Sequence, residues 1–344
     1  MVDHAGPVGS ERIMNAPTRR LKPAYKLDKS TAHFQKANKV MPLGVSSNFR
    51  FWGEGKTVYV KRGRGARLWD FDDNCYIDYR LGYGPAILGH CHPEVDAAAR
   101  EGQQVGTVFA LGTEKEVTVA EMIREMVPAA ELVRFSNSGT EAVMAALRLA
   151  RGATGRDNYV TFEGSYHGLF DAAMWTADMA NMTDPVKGPE VVSYGKGIPR
   201  LVRQLFWQVP YNDANRLEEV LKKHGHTIAA VLIEPILGNC CGIPSKPEFI
   251  KAVRELCTKY GVLMIVDEVK TGLLDEYVDA VIRGVARVAE AVGAPTKRKL
   301  RFGWAAHGLV SSSPSVFEKA SGVVVQLLTL PSDDLEHRIL ALFG

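Results

Sequence analysis

The segment Arg134-Phe-Ser-Asn-Ser-Gly-Thr-Glu-Ala142 runs from an apolar stretch into Ser138-Gly139-Thr140, and a helical pattern follows at once. Residues of these types at a helix start can hold an anion. The first amides of a helix have no intrahelical partners, and the macrodipole favours negative charge there. Gly139 lets a ligand approach the backbone, while Ser138 and Thr140 add hydroxyl donors. The same three residues also suit an ordinary N-cap, so on their own they leave both readings open.

Other groups downstream could complete a site. Asp267 closes the apolar run before Ile265-Val-Asp-Glu-Val269, where a lone carboxylate is costly unless it meets a cation or a donor. Tyr166 and His167 follow another apolar run in Glu163-Gly-Ser-Tyr-His-Gly168, and Glu234 follows a third in Ile233-Glu-Pro235. An anion clamp at Ser138–Thr140, an aromatic face at Tyr166 and a counter-charge at Asp267 together match the demands of pyridoxal phosphate.

The elements that must position these groups alternate in type. Leu132–Ser136, Tyr159–Phe162, Ala229–Ile233 and Val262–Val266 read as strands, and Thr140–Arg151, Leu217–Lys223 and Pro247–Tyr260 as helices. Short apolar strands separated by amphipathic helices predict an α/β fold, a mainly parallel sheet with helices on both faces. Ligands of such sheets gather beyond the carboxyl ends of the strands, where Ser138, Tyr166, His167, Glu234 and Asp267 fall. Upstream, a helix is expected over Thr31–Val40, and Thr57–Lys61, Arg67–Asp70 and Tyr76–Tyr79 form a small N-terminal β-meander with a turn at Asp72–Asn74. Helices from Pro93 to about Val105 and over Glu116–Val127 come next. The expected divisions are 1–42 (arm and helix), 43–92 (β-rich segment), 93–272 (large domain) and 273–344 (helix and divergent tail). The polar start up to Pro23 reads as an arm that orders against a second subunit.

Bulk properties narrow the function classes. In 344 residues, 42 basic and 39 acidic side chains leave a net charge of +3, which points to neither nucleic acid nor an anionic membrane. Arg62-Gly-Arg-Gly-Ala-Arg67 and Lys297-Arg-Lys299 read as solvated loops. The five cysteines show no C-x-x-C pair and no zinc spacing, so no metal is expected, and a reduced compartment, the cytoplasm, is. There is no signal-peptide core and no run of membrane-spanning length.

From about Leu43 to Gly272 the chain resembles the class III aminotransferases of fold type I, and within them the glutamate-1-semialdehyde aminomutase branch. The resemblance rests on Gly44-Val-Ser-Ser-Asn-Phe-Arg50, Gly89-His-Cys-His-Pro-Glu94, Asn137-Ser-Gly-Thr-Glu-Ala142, Phe162-Glu-Gly-Ser-Tyr-His-Gly168, Glu234-Pro235 with Gly238-Asn239, and Asp267-Glu-Val-Lys-Thr-Gly272, in that order. It implies pyridoxal 5'-phosphate or pyridoxamine phosphate as cofactor. Ser138, Gly139 and Thr140 would hold the phosphate, Tyr166 and Val269 would cover the two ring faces, and Asp267 would pair with the ring nitrogen. His167 and Asn239 would line the pocket, and Ser47 and Arg50 would face the substrate. It further implies a homodimer that moves an amino group between an amine or amino acid and an oxo compound.

The chain also departs from the family. The lysine to which the family attaches its cofactor is not identifiable: Lys297 and Lys299 lie at about the right distance but in a basic loop, Lys319 is too late, and Lys270 sits in the turn beside Asp267. Activity of this chain therefore does not follow from the resemblance, and a noncatalytic cofactor-binding protein or a nonfunctional truncated family member stand as alternatives. Asp275–Val292 reads as a helix of an incomplete C-terminal domain, and Gly322–Leu330 as a strand or a buried helix. Loss of later strands predicts an exposed sheet edge. The segment Phe170–Trp207, rich in Met and Trp, either reshapes the pocket or packs on the surface.

Overall fold

A computed structural model of the chain describes residues 25–272, apart from 84, 87, 128, 179–189 and 241, together with 326–327. The expected helix Asp275–Val292 and the lysines at 297, 299 and 319 lie outside the described residues. The chain divides into two units, the first ending at Asp78.

In the first unit, helix α1 (Asp28–Ala37) is followed by strands β1 (Val60–Arg64), β2 (Arg67–Asp70) and β3 (Cys75–Ile77), an antiparallel meander in that order. The helix starts three residues before the expected Thr31. The Asp72 carboxylate accepts from the amides of Lys29 and Ser30 at 2.7 and 2.9 Å, a cap supplied from more than forty residues away. Strand β1 is likewise displaced from Thr57–Lys61. Thr57 is held in a turn by its hydroxyl, which donates to the Gly53 carbonyl, whereas Arg62–Arg64 pair with β2. The basic cluster is thus a hairpin rather than a loop, with the Arg62 guanidinium 3.6 Å from the Trp69 ring centre. The predicted turn stands: Asp70 Oδ1 accepts from the amides of Asp72 and Asn74.

The second unit contains helices α2 (Pro93–Val105), α3 (Glu114–Met126) and α4 (Gly139–Thr154), then strands β4 (Asn158–Phe162), β5 (Trp175–Ala177), β6 (Val191–Ser193) and β7 (Phe206–Val209). Helix α5 (Ala214–His224), strands β8 (Ile228–Ile233), β9 (Ile236–Leu237) and β10 (Ile243–Pro244), helix α6 (Pro247–Lys259) and strands β11 (Leu263–Val266) and β12 (Gln326–Leu327) complete it. The main sheet runs β12-β11-β8-β4-β7. Pairs β11–β8, β8–β4 and β4–β7 are parallel, and β12 closes the β11 side antiparallel through Ile265↔Leu327 and Val266↔Gln326. The edge expected to be bare is therefore paired at those two positions.

All six residues of β8 are buried, as an apolar run covered on both faces must be. One face meets α4 through Val143, Ala146, Leu147 and Ala150, joined by Tyr159, Leu232 and Ile265. The other meets α5 and α6 through Leu217, Leu221, Phe249 and Val253, joined by Phe162, Val231 and Ile233. The spacing i, i+4 on each helix is the stripe that such packing requires. Between Asn158 and Tyr159 the register with β8 slips by one residue at Ala229.

One expected strand is absent. Leu132–Ser136 belongs to none of the sheets among the described residues. Leu132 is exposed, while Val133 and Phe135 pack on Ile123 and Val127 at the end of α3. An apolar run becomes a strand only where a ladder partner exists.

Candidate functional site

Ser138 is the N-cap of α4, in extended conformation, and its Oγ accepts from the Glu141 amide at 3.2 Å. The Glu141 carboxylate reaches back to the Asn137 amide at 2.7 Å, which fixes the entry of the chain into the helix. The first helical bond runs from the Ala142 amide to the Ser138 carbonyl, so the amides of Gly139 and Thr140 precede the ladder and face outward. The helix ends at Gly155, in left-handed conformation (φ 66°).

A Cβ on Gly139 would lie 3.0 Å from both Cγ atoms of Val269. The helix start and the turn after β11 therefore touch. In that turn the Val269 amide donates to Asp267 Oδ1 at 3.1 Å, and the Asp267 amide donates to the Ile233 carbonyl at 2.8 Å. Asp267 Oδ2 lies 2.7 Å from His167 Nδ1, with both side chains about 4% exposed. The loop after β4 is tied to the helix start as well. The Leu169 amide donates to Thr140 Oγ1 at 3.1 Å, and Gly168 (φ 107°) passes so close that a Cβ would lie 2.8 Å from Thr140 Cα.

Glu234, one residue past β8, is the hub behind this arrangement. Its Oε1 accepts from the Tyr166 amide at 2.7 Å and its Oε2 from the Gly238 amide at 3.2 Å. Lys270 Nζ is 3.7 Å from Oε2, donates to Asn239 Oδ1 at 2.8 Å and lies 5.2 Å from the Tyr166 ring centre. Burial raises the Glu234 pKa, and the Lys270 ammonium opposes the rise. Glu268 is raised by burial and then by the neighbouring Asp267 charge. Burial also raises the Tyr166 phenol.

Of the residues singled out in the sequence, Ser138, Gly139, Thr140, Tyr166, His167, Val269 and Asp267 converge on one cluster through these contacts. Asn239 lies in a single turn, Gly238–Cys240, and meets the cluster through Lys270. Ser47 and Arg50 belong to the first unit, where Ser47 precedes the turn Asn48–Arg50 and Arg50 donates to Ser46 Oγ at 2.7 Å. Sequence reasoning placed Glu234 beyond its strand without assigning it a task, and left Lys270 in the turn beside Asp267. A carboxylate directly after a fully apolar strand and a lysine four residues past another were the available signals. Trp175 is buried and donates to the Asp171 carbonyl, and the half-buried Trp207 stacks on His224.

Residues 52–274 match the family model described as Aminotransferase class-III. The chain is 44% identical over 241 residues to a glutamate-1-semialdehyde 2,1-aminomutase of Aquifex aeolicus, covering 70% of this chain and 55% of the relative. Among solved structures, an omega-transaminase from Sphaerobacter thermophilus aligns with a TM-score of 0.65 at 34% identity, covering 72% of this chain and 56% of that one. A transaminase solved with PLP bound aligns with a TM-score of 0.64 at 34% identity, covering 72% and 57%. The chain spans about half the length of the curated relatives it matches.

Proposed function

The chain belongs to the class-III aminotransferase family, and on that footing we propose that its second unit binds pyridoxal 5'-phosphate or pyridoxamine phosphate. The phosphate would take the amides of Gly139 and Thr140 and the hydroxyls of Ser138 and Thr140. The ring would lie between Tyr166 and Val269, its nitrogen toward Asp267. The residues fit such a group. Gly139 has no Cβ where Val269 closes in, the first-turn amides are free of the helical ladder, and a buried carboxylate stands at the far side of Val269. When bound, the cofactor supplies an electron sink, which needs a counter-charge at the ring nitrogen. His167 holds Asp267 in place for that task.

The observation that carries the reading is the short bridge formed by Val269, in contact with Gly139 on one side and bonded to Asp267 on the other. Anion site and acid are thereby within reach of one small molecule. The reaction proposed for the family's whole-length architecture is transfer of an amino group between an amine or amino acid and an oxo compound, in the manner of an aminomutase or a transaminase. A cytoplasmic homodimer is part of the proposal. The exposed Val105 at the end of α2 and Val108, Phe109 and Leu111 after it offer apolar area suited to a subunit contact.

A second reading, a protein that holds the cofactor without turnover, is favoured by Lys270. This lysine of the cluster is engaged by Glu234 and Asn239 and is not presented as a nucleophile. Titration of the purified chain with pyridoxamine phosphate tests cofactor binding. Incubation with pyridoxal phosphate, borohydride reduction and mass spectrometry then test for a linkage to a lysine. Binding with a mass increment and turnover of an amine supports the enzyme; binding without either supports the holder; no binding overturns both and leaves a nonfunctional truncated family member.

A further inference from the structure

Behind the His167–Asp267 pair lies a small cavity of about 10 Å³, the room of one water-sized sphere. Its wall includes Thr161 of β4, Gln208 of β7, Ser165 and His167 of the loop after β4, and apolar side chains such as Leu147 and Leu232. Thr161 and Gln208 are direct neighbours in the parallel ladder. Two buried polar atoms of this wall, His167 Nε2 and Gln208 Oε1, have no hydrogen-bond partner in the protein.

The hydroxyl and indole donors around them are engaged. Ser165 Oγ donates to the Phe162 carbonyl at 2.6 Å, which leaves the Thr161 hydroxyl to donate to Ser165 Oγ at 2.9 Å. The Tyr159 hydroxyl donates to the Ala172 carbonyl, and Trp175 Nε1 to the Asp171 carbonyl. His167 Nδ1, when it carries the ring proton, donates to Asp267, and Nε2 is then a lone pair. Gln208 Oε1 is also an acceptor. Two acceptors cannot satisfy each other, and a buried acceptor left bare keeps its full desolvation penalty. A single water has the two donors required.

We infer that the cavity is a structural water site in which one water donates to both His167 Nε2 and Gln208 Oε1, making Gln208 a positioning residue for His167. A water donating to Nε2 pairs with the tautomer that carries its proton on Nδ1, aimed at Asp267. Gln208 therefore acts on the carboxylate through two intermediaries and touches no reacting atom. The bridge exists without any cofactor; its bearing on a ring nitrogen rests on the proposed function above.

A crystal structure of the cofactor-free full chain at high resolution should show one density peak in the cavity, within hydrogen-bond distance of both atoms. Nitrogen-15 NMR should show His167 with a protonated Nδ1 and a hydrogen-bonded, unprotonated Nε2. In Gln208→Met the Nε2 resonance should move toward that of a bare lone pair, and Gln208→Glu, which keeps an acceptor oxygen, should restore it. A dry cavity, a Gln208 amide nitrogen bonded directly to Nε2, or an Nε2 signal indifferent to Gln208→Met overturns the inference. Because density and tautomer are read without cofactor, failure of cofactor binding leaves this test intact.

Discussion

His167 Nδ1 and Asp267 Oδ2 meet at 2.7 Å across one hundred residues of sequence, and the contact joins the loop after β4 to the end of β11. Neither side chain is open to water, so the pair orients a carboxylate that solvent would otherwise leave mobile. If that carboxylate faces a protonated ring nitrogen, Asp267→Asn removes a charge-assisted bond. Pyridoxamine phosphate affinity should fall roughly 10- to 100-fold, the equivalent of about 1.5–3 kcal/mol. Fluorescence titration reads this directly, and an unchanged dissociation constant would remove Asp267 from the ring.

Two glycines sit in close contacts at the start of α4, and they should differ in tolerance. Gly139→Ala asks the Val269 methyl groups to give by a few tenths of an ångström, with an expected loss of about 1 kcal/mol and weaker phosphate binding. Gly168→Ala must accept φ 107° and a Cβ 2.8 Å from the Thr140 backbone, and should lose more, about 1–3 kcal/mol. Urea midpoints of the two variants rank them. The reverse order would mean that the loop after β4 relaxes freely.

The Lys270–Glu234 pair is buried on both sides, with side-chain exposures of 8% and 3%. Lys270→Met strips Glu234 of its cation while leaving the carboxylate among amide donors, and should destabilise by about 3–5 kcal/mol. Adding Glu234→Gln should recover much of the loss, because no isolated charge then remains. A double variant no more stable than Lys270→Met would show that the lysine acts by packing against Gly238 and Tyr166 instead.

Glu268 titrates above its ordinary 4.5 in the folded chain, because burial and the Asp267 charge both oppose its ionisation. The folded state thus keeps a proton that the unfolded chain releases near 4.5. Its stabilising contribution is complete below that pH and is lost as pH rises through the raised value. Glu268→Gln should abolish this component. The stability of the unmodified chain relative to the variant should decline with rising pH across that interval, by urea titration at several pH values; a flat or opposite trend refutes the assignment.

Where apolar periodicity and a cap act locally, the sequence was a faithful guide. The Val143, Ala146, Leu147 and Ala150 stripe and the Ser138 cap announce α4, and the unbroken apolar run Ile228–Ile233 announces a strand buried on both faces. Legibility failed where a distant partner decides. Asp72 moves the start of α1, pairing with β2 turns Arg62–Arg64 into a strand, and want of a ladder keeps Leu132–Ser136 outside the described sheets. The site followed the same rule. Asp267, Tyr166 and Ser138–Thr140 are recognisable by type and place, whereas Glu234, Lys270 and Gln208 acquire meaning only through neighbours dozens of residues away.

The slipped pairing at Ala229 has a geometric outcome at the opposite end of the sheet. With the extra residue taken up there, the last rungs come level: Phe162 sits beside Val209, and Ile233 beside Val266. Glu163, Glu234 and Asp267 each occupy the very next position on three adjacent strands, forming an acidic ledge of uniform height. Deleting Ala229 would make Ile228 and Ala230 consecutive opposite Asn158 and Tyr159, a regular ladder that keeps the upper register and the height of Glu234. Regular pairing with Ala229 retained would instead carry Glu234 one residue, about 3.3 Å, beyond its neighbours, so an irregularity among buried aliphatic residues governs the alignment of the acids at the top.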